Sequence, residues 1–233
     1  MGLGTEFAIV VVLKKVLLKK VPIQKSLWFP PAVARGAGAA AIFSDLHTEL
    51  VRKSIHFFIA LSPGMAAINF NLTVSLLIAG IVGYIVVEML RLSGVDVPLV
   101  SALTRMASRR RDMGHFVAGP VTLGFGALFA LLWFPLPVAT VGIYALAFGD
   151  GFASLAGKFF GRTRPALLGG KSIEGSMACY AAAFISAYWV SHSFRAAFAA
   201  ACTAALVEAL PLNDCDNIAI PLAVCAVVWL IPA

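Results

Sequence analysis

Residues 147–162 read AFGDGFASLAGKFFGR. An aspartate stands inside an otherwise apolar run, and small residues recur around it. Gly149, Ala153, Gly157 and Gly161 fall every four residues. On a helix they share one stripe, along which a neighbouring backbone or a ligand can approach closely. Asp150, Ser154 and Lys158 repeat with the same period on an adjacent stripe. With the apolar residues from 137 onward, the segment reaches the roughly 17–25 residues that cross a bilayer. An ionisable group in such a segment is expensive and usually faces a bundle interior. A packing motif accounts for the glycines but not for a carboxylate and an ammonium beside them. The stretch therefore predicts a membrane helix that carries chemistry near one end.

The rest of the chain agrees with that reading. Of 233 residues, 61% are hydrophobic and 12% are charged, against about 25% charged in a typical soluble domain. Such a composition cannot coat a soluble surface. It predicts an all-α, polytopic membrane helix bundle. Apolar runs place about seven transmembrane helices at 54–70, 72–91, 115–134, 137–158, 174–192, 195–210 and 217–232. Lys and Arg alternate between the connections. Arg52 and Lys53 precede the first span, and Arg91, Arg105, Arg109, Arg110 and Arg111 follow the second. Lys158, Arg162, Arg164 and Lys171 follow the fourth, while 62–71 and 134–137 have none. The positive-inside rule then places 45–53, 91–114, 158–173 and 211–217 in the cytoplasm. The expected location is a membrane of the bacterial inner or plasma type. The net charge of +7 is thus a topological signal, and no nucleic-acid partner is expected. Residues 1–44, with Lys14, Lys15, Lys19 and Lys20 on one helix face, read as a basic amphipathic and linker segment on the inner leaflet. Residues 45–233 read as the integral membrane domain. Cys179, Cys202, Cys215 and Cys225 form no CxxC pair and suggest neither a disulfide framework nor a zinc site.

Two further polar clusters lie on the same expected side. Residues 169–176 read GGKSIEGS. A P-loop requires glycine five residues before Gly170, where this chain has Pro165, and it joins a strand to a helix. The segment is not a P-loop, yet the physics is shared. Glycines let the backbone wrap an anion, Lys171 supplies charge, and the segment opens a helix whose N–H groups favour phosphate. Ser172 is placed as N-cap. Glu174 in the first turn suits the helix dipole or holds a metal ion. The second cluster is EALPLNDCDNIAIPL, residues 208–222, where Glu208, Asp214, Asp216 and Asn217 offer hard oxygen ligands of the kind Mg²⁺ accepts. Glu88, three residues before Arg91, reads as an ion pair at a helix end. His56, one turn after Arg52 and Lys53, reads more simply as a structural hydrogen-bonder. Cations for phosphates and carboxylates for Mg²⁺ are the parts of a phosphoryl- or nucleotidyl-transfer site. A substrate reaching that site from the bilayer is a lipid.

The segment Gly149 to Ser176 resembles the signature of the CTP-dependent lipid kinases, the group of dolichol kinase, phytol kinase and CTP-dependent diacylglycerol kinase. That group is distantly related to phosphatidate cytidylyltransferase. Supporting matches are RKSIH (Arg52 to His56), EMLR (Glu88 to Arg91) and EALP (Glu208 to Pro211). The resemblance covers about residues 49–222 and draws in Lys53, His56, Glu88, Arg91 and Glu208. It implies Mg²⁺-dependent transfer of the γ-phosphate of CTP to a membrane lipid alcohol at the cytoplasmic face. Carried over by position, Gly149, Asp150, Ser154, Lys158, Gly161, Arg162, Lys171, Ser172, Glu174 and Gly175 line the nucleotide site, completed by Asp216 and Asn217. The resemblance gives catalytic roles to Asp150, Lys171 and Asp216, and metal-binding roles to Asp150, Glu174, Asp214 and Asp216. The chain departs from the family at one place. Where Asp-Asp-Asn is usual, it has Cys215-Asp216-Asn217, with Asp214 one position earlier.

Three function classes stand at this point. One is the lipid-alcohol kinase. Another is a cytidylyltransferase making a CDP-lipid, against which counts the absence of a C-terminal His-Gly-Gly…Asp-Arg-x-Asp pattern. The last is a non-catalytic transporter or scaffold, against which count the lack of an internal repeat and the gathering of charge at one face.

Overall fold

The computed structural model describes residues 39–95, 115–165 and 168–231, and all of them fall in one compact unit, Val33–Ala233. The basic segment expected before residue 39 and the arginines of 105–111 lie outside the described residues. Every regular element among the described residues is helical, with no strand. In chain order they are α1 (Ala39–Ile59), α2 (Leu61–Ile68), α3 (Phe70–Leu92), α4 (Gly119–Trp133), α5 (Leu136–Tyr144), α6 (Gly151–Phe159), α7 (Ile173–Ser191), α8 (Phe194–Ala209) and α9 (Asp216–Trp229). A π-helical stretch, Ala145–Asp150, joins α5 to α6 without a break, and a 3₁₀ turn, Asn213–Cys215, leads into α9.

Six of the seven expected segments coincide with helices to within a few residues. The first does not. The apolar run 54–70 is divided between the end of α1 and the short α2, with a turn at Ala60 whose N–H donates to Phe57 O at 3.1 Å. The helix that carries Arg52, Lys53 and His56 covers Ala39–Ile59 among the described residues. Periodicity missed this because α1 joins a mixed polar half to an apolar half, and hydropathy registers only the second.

The helix ends follow local chemistry. Asn69 caps α3, accepting from Leu72 N at 3.0 Å, and Ser193 caps α8 through Ala196 N at 3.4 Å. Pro120 and Pro137 stand in first turns, where a missing N–H costs nothing. Pro221 lies inside α9, so the Asn217 carbonyl has no donor four residues on. Gly126 of α4 presses against that carbonyl; a Cβ there would sit 2.1 Å from Asn217 O. α8 contributes Ala196, Ala197, Ala200, Ala201 and Ala204 to the core, all buried. Small side chains let α7 and α9 pack closely on it.

Among the described residues two helices are long and apolar enough to cross a membrane, Phe70–Leu92 and the continuous Leu136–Phe159. They differ in setting. The second is mostly enclosed by its neighbours, whereas only 11% of the apolar window of the first is buried. Leu72, Leu76, Ile78, Val82, Val86 and Met89 of α3 are all exposed. Exposed apolar surface on this scale is foreign to a monomeric soluble protein.

Candidate functional site

The site starts from α1. Its polar half places Glu49, Arg52, Lys53 and His56 at three- and four-residue spacings, on the side that meets α6 and the π-helical stretch. Asp150 closes that stretch and is buried. Lys53 Nζ lies 2.5 Å from Asp150 Oδ2, and His56 Nδ1 lies 3.2 Å from the same oxygen. The lysine and histidine are themselves buried. A charge so enclosed requires a partner, and here each of the two central charges supplies the other's.

One turn further along α6, Ser154 and Lys158 face Glu49. The Ser154 hydroxyl donates to Glu49 Oε1 at 2.5 Å, and Lys158 Nζ stands 3.2 Å from Glu49 Oε2. Arg52 Nη2 also lies 2.5 Å from Glu49 Oε1. Burial works against charge on Glu49, but Arg52, the Ser154 hydroxyl and Lys53 together outweigh it and hold the carboxyl well below its usual range.

The glycine-rich loop folds back onto α6 and the α8–α9 corner. Gly169 and Gly170 both have positive φ, 57° and 95°, which glycine adopts without strain. A Cβ on Gly169 would meet Pro211 Cβ at 2.6 Å. Arg164 staples the loop, donating to Gly170 O at 2.5 Å and Gly157 O at 2.6 Å. Ser172 is buried and caps α7 through Gly175 N at 3.1 Å. The small-residue stripe is in use here: a Cβ on Gly161 would meet Gly157 O at 2.2 Å and Ser172 Oγ at 2.7 Å. A Cβ on Gly149 would lie 3.2 Å from Cys179 Sγ of α7, and one on Gly175 2.8 Å from Ala153 O of α6.

Lys171 reaches from this loop across to the acidic corner. Its ammonium donates to the Glu208 backbone carbonyl and lies 3.5 Å from Glu208 Oε1 and 3.4 Å from Asp216 Oδ2. Ser176 donates to Glu208 Oε2 at 2.9 Å. Burial, and then repulsion from Asp150, push the Asp216 carboxyl up; Lys171 and Lys53 pull it back only in part. Asp150 and Asp216 are therefore near enough for their like charges to interact.

The remaining expected residues fall in two groups. Asp214 acts electrostatically on Arg52 from the 3₁₀ turn, while Cys215 is exposed. Glu174 accepts from Thr163 N at 3.0 Å and so closes the base of the loop, and Arg162 is exposed at its head. Asn217 is buried and donates to Thr122 Oγ1 at 2.9 Å and Gly119 O at 3.3 Å, which ties α9 to α4. Glu88 and Arg91 form the expected ion pair, through Nη2 at 2.7 Å and Nε at 2.8 Å. Glu88 also accepts from Val117 N at 2.9 Å, and Arg91 donates to His115 O at 3.0 Å. The pair thus anchors the approach to α4, away from the cluster around Asp150.

Sequence reasoning missed Glu49. It lies in what reads as a solvated loop, 45–53, so its charge drew no attention. Its spacing before Arg52, Lys53 and His56 was the available signal.

Among the described residues no group of three or more His, Cys, Asp or Glu side chains is gathered to hold a metal ion. Mg²⁺ does not require one, since it is usually held by one or two carboxylates together with substrate phosphates. Asp150 and Asp216 are carboxylates near this junction, each already beside a lysine.

The helical chain thus has an exposed apolar face and gathers lysines, an arginine and carboxylates where a glycine-rich loop meets two helices. Comparison with characterised proteins adds to this. The chain is 30% identical over 157 residues to "Probable phytol kinase 2, chloroplastic" of Oryza sativa subsp. japonica, covering 60% of this chain and 51% of that one. It is 28% identical over 206 residues to "Probable phytol kinase, chloroplastic" of Triticum aestivum, covering 78% and 67%. It is 27% identical over 150 residues to "CTP-dependent diacylglycerol kinase 1" of Eremothecium gossypii, covering 62% and 47%. The match thus spans about half to two thirds of the length of these relatives. No family model matches the chain, and no solved structure matches it. The similarities support a relationship to the CTP-dependent lipid kinases.

Proposed function

We propose that this protein is a CTP-dependent lipid-alcohol kinase embedded in a membrane by about seven helices. Its site faces the side that carries the basic loops, which the positive-inside rule makes the cytoplasm. The observation that carries the proposal is the set of lysines each beside a carboxylate, Lys53 and Lys158 where α1 meets the π-helical stretch and α6, and Lys171 where the loop before α7 meets the α8–α9 corner. The chain's similarity to proteins named as kinases of phytol and diacylglycerol supports a kinase over other phosphate chemistry.

The acceptor is a membrane lipid alcohol of the polyprenol, phytol or diacylglycerol kind. Its hydroxyl oxygen attacks the γ-phosphorus of CTP, the bond from that phosphorus to the β–γ bridging oxygen breaks, and CDP leaves. The hydroxyl proton passes to Asp216, the carboxylate that burial and Asp150 make the readier base. Lys171, held by Glu208 and Asp216 yet partly exposed, offsets charge that develops on the transferring group. Asp150 would hold Mg²⁺, leaving Asp216 to take the proton; the ion when bound supplies positive charge to the phosphate oxygens. The loop from Gly161 to Gly175 and the polar stripe of α6 bind the nucleotide.

The test is transfer of label. Protein in detergent with bilayer lipids is incubated with Mg²⁺, CTP labelled at the γ-phosphate, and a panel of lipid alcohols. γ-Label should move into the organic phase and CDP should form. Lys171→Met should reduce the rate by about 10²–10³-fold, the range for loss of one charge-stabilising donor. Release of pyrophosphate with α-label entering lipid would refute the kinase in favour of a nucleotidyl transfer, and CTP left intact would refute both.

A further inference from the structure

α8 ends at Ala209, and the carbonyls of a last helical turn need donors from outside the helix. Pro211 has no N–H, and Leu212 N donates to Leu210 O at 2.8 Å. The Glu208 carbonyl therefore has no main-chain donor three or four residues on. Lys171 fills that place: its ammonium donates to Glu208 O from the glycine-rich loop. A cation is favoured there, at the negative end of the helix dipole.

The same residue holds the lysine a second way. The Glu208 side chain is buried, with Oε1 3.5 Å from Lys171 Nζ. Its Oε2 accepts from Ser176 Oγ at 2.9 Å. Ser176 stands in the first turn of α7, so the carboxylate cannot rotate away without giving up that bond. Lys171 nonetheless keeps 24% of its side chain exposed, so this anchoring does not enclose it. The other carboxylate beside Nζ is Asp216, at 3.4 Å. The two acids differ in what the transfer asks of them. Asp216 takes the hydroxyl proton and loses its charge, whereas Glu208 keeps its own throughout.

We propose that Glu208, oriented by Ser176, is a positioning residue: it fixes the Lys171 ammonium against the end of α8 and stays its counterion once Asp216 is neutralised. The inference rests on the kinase reading, which gives Lys171 a transferring phosphoryl group to meet. Glu208 touches no substrate and acts through Lys171 alone. The physical advantage is preorganisation. A lysine side chain has much rotamer freedom to lose, and here it is lost on folding rather than in the transition state.

The experiment uses the full chain in detergent with bilayer lipids, with Glu208→Gln, Glu208→Asp, Ser176→Ala, Lys171→Met and the double variant Glu208→Gln/Lys171→Met. The readings are kcat, KM for CTP and for the lipid alcohol, Tm, and exchange of the Lys171 ammonium hydrogens with water by ¹⁵N NMR. The resonance is assigned by its loss in Lys171→Met. Glu208→Gln keeps an acceptor for Ser176 but removes the charge. It should lower kcat about tenfold, the scale of one hydrogen bond to a charged group, and speed the ammonium exchange by a similar factor. Both KM values should stay unchanged, as for an interaction used in the transition state. Glu208→Asp should recover part of kcat, and Ser176→Ala should lose less than Glu208→Gln. In the Lys171→Met background, Glu208→Gln should lower kcat no further.

An unchanged kcat, or an equal fall with and without Lys171, would overturn the proposal, the second because it marks a merely structural role. An ammonium exchange unmoved by Glu208→Gln would overturn it as well, whatever kcat does. Should Glu208→Gln fail to fold, Ser176→Ala carries the test, and it must lower kcat and speed the exchange together. Failure of the kinase reading looks different. Wild-type protein that transfers no γ-label, yet shows a Lys171 exchange that Glu208→Gln speeds, supports the anchoring and refutes the kinase.

Discussion

The pairing of Lys53 with Asp150 makes a quantitative claim about stability. The ammonium and the carboxylate approach to 2.5 Å, and their side chains are only 2% and 10% exposed. Asp150→Asn keeps the shape but removes the charge, which leaves the Lys53 ammonium enclosed without a counterion. Breaking a buried pair in this way costs about 3–5 kcal/mol. His56 Nδ1, 3.2 Å from the same oxygen, loses a charged neighbour too, so the upper part of that range applies. At about 2–4 °C per kcal/mol for a chain of this size, a loss of about 4–5 kcal/mol should lower the apparent Tm by roughly 8–20 °C. Replacing both partners by apolar groups, Lys53→Met with Asp150→Leu, should behave differently. A buried ion pair exchanged for packed apolar side chains is often neutral or stabilising. The double variant should therefore recover most of the lost Tm while phosphoryl transfer stays absent. Thermal unfolding followed by tryptophan fluorescence in detergent, beside the γ-label assay, measures both quantities. A neutral Asp150→Asn, or a double variant no more stable than that single one, would refute the claim that the two charges are buried against each other. The design also separates a catalytic loss from a folding loss, which Asp150→Asn alone cannot do.

Two other predictions address the loop and the small-residue stripe. Gly161→Ala puts a methyl 2.2 Å from Gly157 O and 2.7 Å from Ser172 Oγ; it should destabilise by about 1–3 kcal/mol, whereas Gly80→Ala, with nothing within 4 Å, should leave Tm unchanged or raise it. Arg164→Ala releases Gly170 O and Gly157 O from the guanidinium; since the arginine is exposed, we expect about a three- to tenfold rise in KM for CTP with Tm little changed, read by steady-state kinetics and a melt.

Much of the helix layout was legible because it is written locally. The caps at Asn69, Ser172 and Ser193 and the apolar runs behind them fix where α3, α7 and α8 begin. The glycine period of 149–161 announced a close helix contact, and α6 does meet α7 there. The division of 54–70 at Ala60 was not legible, since the nearby helix breakers, Pro63 and Gly64, lie inside α2 rather than at the break. Glu174 and Asn217 were expected at the nucleotide site; what the structure has each do is hold two segments together, Glu174 the base of its loop and Asn217 the contact of α9 with α4.

What the chain alone determined is which charges exist, how they are spaced along each helix, and that apolar surface dominates everything around them. These follow from composition and period, which each segment carries in itself. Which charge faces which was decided only by the tertiary structure. Lys53 meets Asp150 across 97 residues of chain, and Glu49 meets Ser154 across 105. No local pattern encodes such a pairing. It follows from the packing of α1 against the π-helical stretch and α6, where a buried charge is tolerable only opposite its partner.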